Sequence, residues 1–178
     1  MRAHVVWGPA LLLLAACGGS PDSNDTAGAP APVAAPEPPG AREIDSAETD
    51  AMLEILRADQ PEDKRIWLVV SPANPDTVEL AKTLELIFRE GGWQPTTQQL
   101  TGMMLKPGPI RILVGDETEP PSLDPVRRAL EAGGLTTETG TGYRAFYDER
   151  KRENPNWAGI PMDAEQTFIV VIAPPPKA

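Results

Sequence analysis

Hydrophobic positions in the second part of the chain follow two alternating patterns. Ile66–Val70, Ile110–Val114 and Phe168–Ile172 are apolar at nearly every position and have the length of strands. Before and between them, apolar residues recur three and four positions apart, as on one face of a helix. Asp45 and Glu48 form a capping box at the start of the first of these helices. Strands that alternate with helices predict crossover connections and a largely parallel sheet.

The two later helices end alike. One stops at Gly91-Gly92 and the other at Gly133-Gly134, and each pair precedes a short Thr-rich segment, 93–100 and 135–139, that predicts a weaker strand. The two Gly-Gly pairs therefore mark a faint internal repeat, which indicates two β-α-β units of similar design.

The strong strands set the expected fold class. Ile66–Val70 and Phe168–Ile172 are apolar throughout, which is typical of strands that are buried on both faces of a sheet. We therefore predict a three-layer α/β/α domain with a small, mostly parallel sheet and about three helices. A ferredoxin-like βαββαβ arrangement is the alternative, because Arg111 interrupts the middle strand.

The first sixteen residues predict where the protein is located in the cell. Arg2 precedes an apolar run, Val5–Leu14, that is shorter than the roughly 20 residues a membrane-spanning helix needs. Leu14-Ala15-Ala16-Cys17, followed by Gly18, resembles the lipobox of bacterial lipoproteins. The resemblance implies that residues 1–16 are a cleaved signal peptide, and that Cys17 carries diacylglycerol and an acylated amino terminus, with palmitate or similar chains.

The resemblance also implies a location. Multiple acyl chains anchor a protein durably in a membrane. Because Gly18 rather than Asp follows the cysteine, we expect the periplasmic leaflet of the bacterial outer membrane, with the inner membrane and the cell surface as alternatives.

Residues 17–42 are predicted to be a flexible linker. Val33 is the only large apolar residue between Gly18 and Arg42, and such a composition buries too little apolar surface to fold. Residues 29–39 alternate mainly between Ala and Pro, which favours extended polyproline-II conformation. Residues 43–178 are left as one globular domain.

The amino-acid composition limits the kinds of binding site and catalysis that the chain can support. The 178 residues include one cysteine, one histidine (His4) and 21 prolines, and the formal net charge is −10. This excludes an internal disulfide framework and a Cys/His zinc site, and it disfavours binding to nucleic acid. Removal of the signal peptide and lipidation of Cys17 would leave neither histidine nor thiol for catalysis. We therefore expect no cofactor and a protein that is not an enzyme.

Polar residues after two strands form the first candidate site. Ser71 and Asn74 follow the first strand, and Asp116 and Glu117 follow the middle one. If both strands ended at the same edge of a parallel sheet, these side chains would share a ligand-binding edge. The acidic turn 116–119 would then suit Mg²⁺ or Ca²⁺ or acid/base chemistry, although acidic residues near helix starts also stabilise helices.

The connection before the last strand contains the second candidate, a partner surface. Tyr143, Tyr147 and Trp157 are interleaved with Arg150 and other cations, a composition typical of protein interfaces and sugar-binding faces. The structural alternative is that Tyr143–Tyr147 form an edge strand and the rest covers the core.

Two further resemblances concern the domain. The succession of elements, with Gly91-Gly92-Trp93 after a helix, resembles a functionally unassigned domain of membrane-anchored bacterial proteins. The layout of two β-α-β halves is similar to the peptidoglycan-binding SPOR domain. We therefore expect a binding or envelope-scaffold module that contacts an envelope protein or peptidoglycan. SPOR-like glycan binding and a divalent-metal-dependent enzyme using residues 116–119 are the alternatives.

Overall fold

The computed structural model describes residues 43–102 and 105–174. The predicted signal peptide, Cys17 and the linker lie outside the described residues. Within the described residues the elements are α1 Ser46–Ala58, β1 Arg65–Val70, α2 Pro75–Glu90, β2 Gln94–Gln99, β3 Ile110–Val114, α3 Leu123–Ala132, β4 Thr137–Gly140, α4 Tyr143–Glu153 and β5 Phe168–Val171.

The strands form one sheet in the order β2-β1-β5-β3-β4. β1 is parallel to β2 and to β5, and β3 is parallel to β4, whereas β3 and β5 are antiparallel. The sheet therefore contains two parallel units, β1-α2-β2 and β3-α3-β4, which run in opposite directions on either side of β5. This arrangement is the structural form of the repeat seen in the sequence.

One face of the sheet, called the helix face below, is covered by α1, α2 and α3. The capping box of α1 is formed, with Asp45 Oδ1 accepting from the Glu48 amide at 2.8 Å and Glu48 Oε2 accepting from the Asp45 amide at 3.1 Å. α1 packs against both α2 and α3. The largest fully buried side chains of this face are Met52, Leu56, Ile66, Leu68, Leu84, Phe88, Ile112, Leu123, Leu130, Phe168 and Ile172.

The two Gly-Gly pairs seat the repeated units against α1. A Cβ atom at Gly91 would lie 2.7 Å from Leu56 Cβ, and a Cβ atom at Gly133 would lie 2.6 Å from Met52 Sδ. The second glycine of each pair has a positive φ, +85° at Gly92 and +64° at Gly134, which favours glycine. Each pair thus ends its helix and allows α1 to approach closely.

The opposite face, called the outer face below, is covered differently. Val69 of β1 and Ile169 and Val171 of β5 are buried there against Ile160, with Tyr143 packed at the side of this cluster. The covering therefore comes from the beginning of α4 and from connecting chain rather than from a full helix. Of the strands, only β1 and β5 contribute buried residues to both faces of the sheet. Arg111 of β3 is therefore exposed on the outer face.

The predicted α/β class and the mostly parallel sheet are confirmed. Three of the four strand pairings are parallel, as the three-layer prediction requires and the ferredoxin-like alternative does not. The described residues contain four helices instead of about three. The additional helix is α4, so the alternative of an edge strand at Tyr143–Tyr147 is wrong. Tyr143, Phe146 and Tyr147 lie three and four positions apart, which is the spacing of one helix face.

Candidate functional site

The structure does not bring together the residues of the predicted ligand-binding edge. Ser71 and Asn74 follow β1, whereas Asp116 and Glu117 follow β3, which runs in the opposite direction. The two pairs therefore lie at opposite ends of the sheet. The expectation of a shared edge was wrong because it assumed that both β-α-β units run the same way.

Each predicted edge residue instead has a local structural role. Asn74 caps α2, its Oδ1 accepting from the amides of Asp76 at 3.0 Å and Thr77 at 3.4 Å. Ser71 is buried, and its carbonyl accepts from the Asn74 amide at 3.2 Å. The carboxylate of Glu117 lies over Gly142, where a Cβ atom would overlap it.

Asp116 belongs to a clamp centred on Arg144, a residue that the sequence did not single out for this role. Arg144 Nη1 lies 2.9 Å from Asp116 Oδ1, and Nη2 donates to the carbonyl oxygens of Asp163 and Ala164, each at 3.3 Å. It also donates to the Gln166 carbonyl. One guanidinium thus fixes the chain that leads into β5, because its planar fork reaches several oxygens at once.

Metal coordination finds no support in the described part of the chain. No group of three or more histidine, cysteine, aspartate or glutamate side chains is positioned there to hold a metal ion. The acidic turn 116–119 also has its carboxylates directed elsewhere, with Asp116 bound to Arg144 and Glu119 bound to Arg127 at 3.1 Å.

The second candidate is assembled. Tyr143, Phe146 and Tyr147 of α4 and Trp157 from the following connection lie together, and we call these four residues the aromatic patch. Gly142 is the N-cap residue directly before helix α4; its φ of +71° is left-handed, and its amide donates to the Asp116 carbonyl at 2.8 Å.

Tyr143 fixes the patch to the outer face. Its hydroxyl donates to the Ile160 carbonyl at 3.1 Å and accepts from the Ile160 amide at 3.0 Å. Burial raises the pKa of the Tyr143 phenol above its ordinary value of 10.0, and the hydrogen bond that the phenol oxygen accepts from the Ile160 amide only partly opposes this shift. These contacts hold the connection 154–160 against the beginning of α4.

The remaining rings meet edge to face. Trp157 lies 5.7 Å from Phe146 at an interplanar angle of 87°, and 5.5 Å from Tyr147 at 63°. Tyr143 completes the group at 6.1 Å from Phe146 and 6.2 Å from Tyr147. All four distances are in the range of favourable aromatic contacts.

Cations border the aromatic patch. The Arg150 guanidinium lies 5.3 Å from the Phe146 ring centroid, and Lys151 Nζ lies 5.8 Å from that of Tyr147. Lys151 also donates to the Pro155 carbonyl at 3.3 Å. Cation–π pairs of this kind orient the side chains without removing their charge from water.

The aromatic patch is accessible. No residue of α4 is buried, and the Phe146 side chain is 43% exposed. Tyr147 and Trp157 are half-buried. The structure therefore brings together all four residues of the predicted partner surface, Tyr143, Tyr147, Arg150 and Trp157, and adds Phe146 and Lys151. The helical spacing of Tyr143, Phe146 and Tyr147 was the signal for a common face.

No helix among the described residues combines the length and the apolar character that crossing a membrane requires. Comparison of the chain with protein-family models, with curated proteins and with solved structures returned no match.

Proposed function

We propose that this chain is a lipid-anchored module of the bacterial cell envelope that binds another envelope protein and is not an enzyme. Cys17 is the anchor, the linker 17–42 holds the domain away from the lipid, and the aromatic patch is the binding surface. The periplasmic face of the outer membrane is its proposed location.

The observation that carries this proposal is the exposure of the aromatic patch. A soluble domain gains free energy by burying aromatic rings, since each adds 150–250 Å² of mostly apolar area. Here Phe146 is 43% exposed although the same chain buries Phe88 and Phe168 completely. Exposed aromatics clustered with arginine have the composition of protein-binding hot spots.

A glycan ligand is the second candidate, because aromatic rings also stack on sugars. The ring faces of the aromatic patch are partly occupied, since Arg150 lies over Phe146 and Lys151 lies over Tyr147. Gly159 lies so close to the six-membered ring of Trp157 that a Cβ atom would overlap it. These contacts leave less flat aromatic surface for a sugar and favour a protein partner.

The test is isolation of the cross-linked full-length lipoprotein from cells, comparing the wild type with a Phe146→Ala/Trp157→Ala double variant. Leu86→Ala is the matched control, because Leu86 of α2 is 63% exposed on the helix face. We expect one partner to be lost from the double variant and retained by the control. Equal recovery of that partner by all three proteins would overturn the proposal.

Sedimentation with purified peptidoglycan separates the two candidates. We expect no retention of the wild type at low salt. Retention that disappears on Trp157→Ala would replace the protein-binding proposal with glycan binding.

A further inference from the structure

We propose that the edge strand β4 pairs with β4 of a second copy of this chain, so that two five-stranded sheets join into one. The two strands are antiparallel across a two-fold axis at Thr139, which faces Thr139 of the second copy. This inference goes beyond the proposed function, because it concerns the edge of the sheet and not the aromatic patch.

The backbone of β4 presents an open edge. β4 is the last strand of the sheet, and residues 138–141 are exposed. The Thr136 carbonyl accepts from the amide of the first residue of β3 at 2.9 Å. Even-numbered residues therefore face β3, since the hydrogen-bonding direction alternates along a strand. The amide and carbonyl groups of Thr137, Thr139 and Thr141 face the open side, and no backbone hydrogen bond within the described ranges pairs them.

The opposite edge strand, β2, has the same hydrogen-bonding direction but is blocked. The Gln94 amide donates to the Lys64 carbonyl at 2.9 Å, so odd-numbered residues face the open side there too. One of them is Pro95, which has no N–H to donate, and proline is a common protection of edge strands. When the two Gly-Gly pairs of the internal repeat are aligned, Pro95 corresponds to Thr137. The chain thus blocks one edge of the sheet and leaves the equivalent edge open.

The side chains of β4 suit a copy of the same strand. With the axis at Thr139, Thr137 lies opposite Thr141 of the second copy, so threonine faces threonine at every hydrogen-bonded position. Glu138 lies opposite Gly140 of the second copy, so no like charges face each other directly. Cross-strand threonine pairs stabilise antiparallel strands, whereas like charges placed opposite each other destabilise them.

The same rules disfavour the neighbouring registers. An axis at Glu138 would place the two Glu138 carboxylates opposite each other. An axis at Gly140 would require Thr137 to pair with Tyr143, which already belongs to α4. The edge is therefore self-complementary in one register, as an interface between identical copies requires.

Charge beside the axis is also balanced. The two Glu138 side chains lie diagonally across the axis in the proposed register. Arg111 of β3 is the registered neighbour of Glu138 on the outer face. It is exposed, and none of the ion pairs among the described residues includes it. Each carboxylate that strand pairing removes from water thus has a cation beside it.

The test is disulfide cross-linking in cells that make the full-length chain with one introduced cysteine. The wild type, whose only cysteine is Cys17, is the baseline. Residues that face each other in a hydrogen-bonded antiparallel pair have Cα atoms about 5.5 Å apart, which a disulfide can span. After treatment with a mild oxidant, Thr139→Cys is expected to give a covalent dimer. Thr97→Cys, at the equivalent position of β2, is expected to give none above the baseline.

Two further variants test the register and the edge. Differently tagged Thr137→Cys and Thr141→Cys chains are expected to link to each other when made together, and neither to link to itself above the baseline. Thr137→Pro is expected to abolish the Thr139→Cys dimer, because it gives β4 the proline that β2 has at Pro95. Its N–H faces the open side, so the pairing of β4 with β3 is kept. Thr97→Pro in β2 is the matched control and is expected to leave the dimer unchanged.

Three outcomes would overturn the inference. One is a Thr139→Cys dimer no stronger than that of Thr97→Cys, and another is a dimer that persists with Thr137→Pro. The third is cross-linking of position 139 to a different protein only, which would mean that β4 pairs with a foreign strand. None of these variants changes the aromatic patch, so the proposed function stands or fails separately by the partner recovered with the Phe146→Ala/Trp157→Ala variant.

Discussion

The two faces of the sheet differ in how they are covered. Three helices cover the helix face, and 22 buried hydrophobic residues among those described form one cluster there. The outer face buries only Val69, Ile160, Ile169 and Val171 in its own cluster, and α4 above it contains no buried residue. Because apolar burial is the main source of folding free energy, the stability of the domain resides mostly on the helix face.

This difference indicates which face of the domain can acquire a binding surface at little cost in stability. A surface that contributes little to stability can change its side chains at small cost, and regions of low local stability commonly carry function. The aromatic patch lies on such a surface. Its neighbours are held by a few specific contacts, those of Tyr143 and Arg144, rather than by extensive packing.

The sharpest test of this contrast compares two phenylalanines. Phe88 of α2 is fully buried and packs 6.3 Å from Trp93, whereas Phe146 is 43% exposed. Phe88→Ala is expected to lower the free energy of unfolding by about 3–5 kcal/mol, through lost transfer energy and a cavity. Phe146→Ala is expected to cost less than about 1.5 kcal/mol, the upper range for aromatic pairs. Chemical denaturation measures both, and equal losses would contradict the proposed division between faces.

On the helix face, alanine substitutions at the equivalent glycines Gly91 and Gly133 are expected to destabilise the domain to different extents. A Cβ at Gly91 would meet Leu56 Cβ, which is fixed to the backbone of α1, whereas a Cβ at Gly133 would meet the Met52 thioether, which can rotate away. Both substitutions overpack the core, at a cost of about 1–3 kcal/mol. We expect Gly91→Ala to be at the upper end and Gly133→Ala at the lower end.

Thermal unfolding of the two variants measures this order. Met52→Ala combined with Gly133→Ala serves as the control, because removal of the thioether should make the alanine at 133 cost less. The reverse order of stabilities would show that α1 is not the element that confines both glycines.

On the outer face, Arg144 is expected to stabilise the nearby chain that leads into β5 rather than the whole domain. Arg144→Met removes hydrogen bonds to the Asp116 carboxylate and to the carbonyl oxygens of residues 163–166. Charge-assisted hydrogen bonds contribute about 1.5–3 kcal/mol, and partial exposure places this site at the lower end. Hydrogen exchange should become faster at residues 163–167 and remain unchanged in α1. Arg144→Lys keeps the charge without the planar fork, so it should restore only part of the protection.

The smallest expected effect is a pH dependence at Tyr143. Burial raises the pKa of its phenol above 10.0, so the folded state favours the neutral form more than the unfolded state does. The resulting stability is fully present below pH 10.0 and is lost as the pH rises through the folded-state value. Tyr143→Phe should make the unfolding free energy less sensitive to pH above 10.0, while Tyr147→Phe serves as the control. Identical alkaline profiles for wild type and Tyr143→Phe would contradict this role.

The sequence was sufficient for the strands and for α1, α2 and α3, and insufficient for α4 and for the direction of the second unit. Asp45 with Glu48 and the two Gly-Gly pairs are local signals, because they act through backbone hydrogen bonds within a few residues. The reversal of β3 relative to β1 depends on the long-range pairing of β3 with β5, which no local pattern encodes. For that reason Ser71 and Asp116 were expected at one edge and lie at opposite ends.

The aromatic patch was predictable in composition and less so in geometry. The grouping of Tyr143, Tyr147, Arg150 and Trp157 followed from their proximity along the chain. Their common face depended on whether α4 is a helix or a strand, and Gly142 in a left-handed conformation together with the Arg144 clamp decides for the helix. The clamp itself joins residues about 20 to 28 positions apart, so sequence spacing gave no sign of it.

The central claim, that the outer face binds and the helix face stabilises, is tested most directly by photo-cross-linking in cells at two exposed positions. A photoreactive phenylalanine analogue replaces Phe146 in one protein and Leu86 in the other, which are 43% and 63% exposed. We predict a discrete adduct with one envelope protein at position 146, lost when Trp157→Ala is added, and no such adduct at position 86. The same adduct at both positions, or a discrete adduct at position 86 alone, would contradict the account.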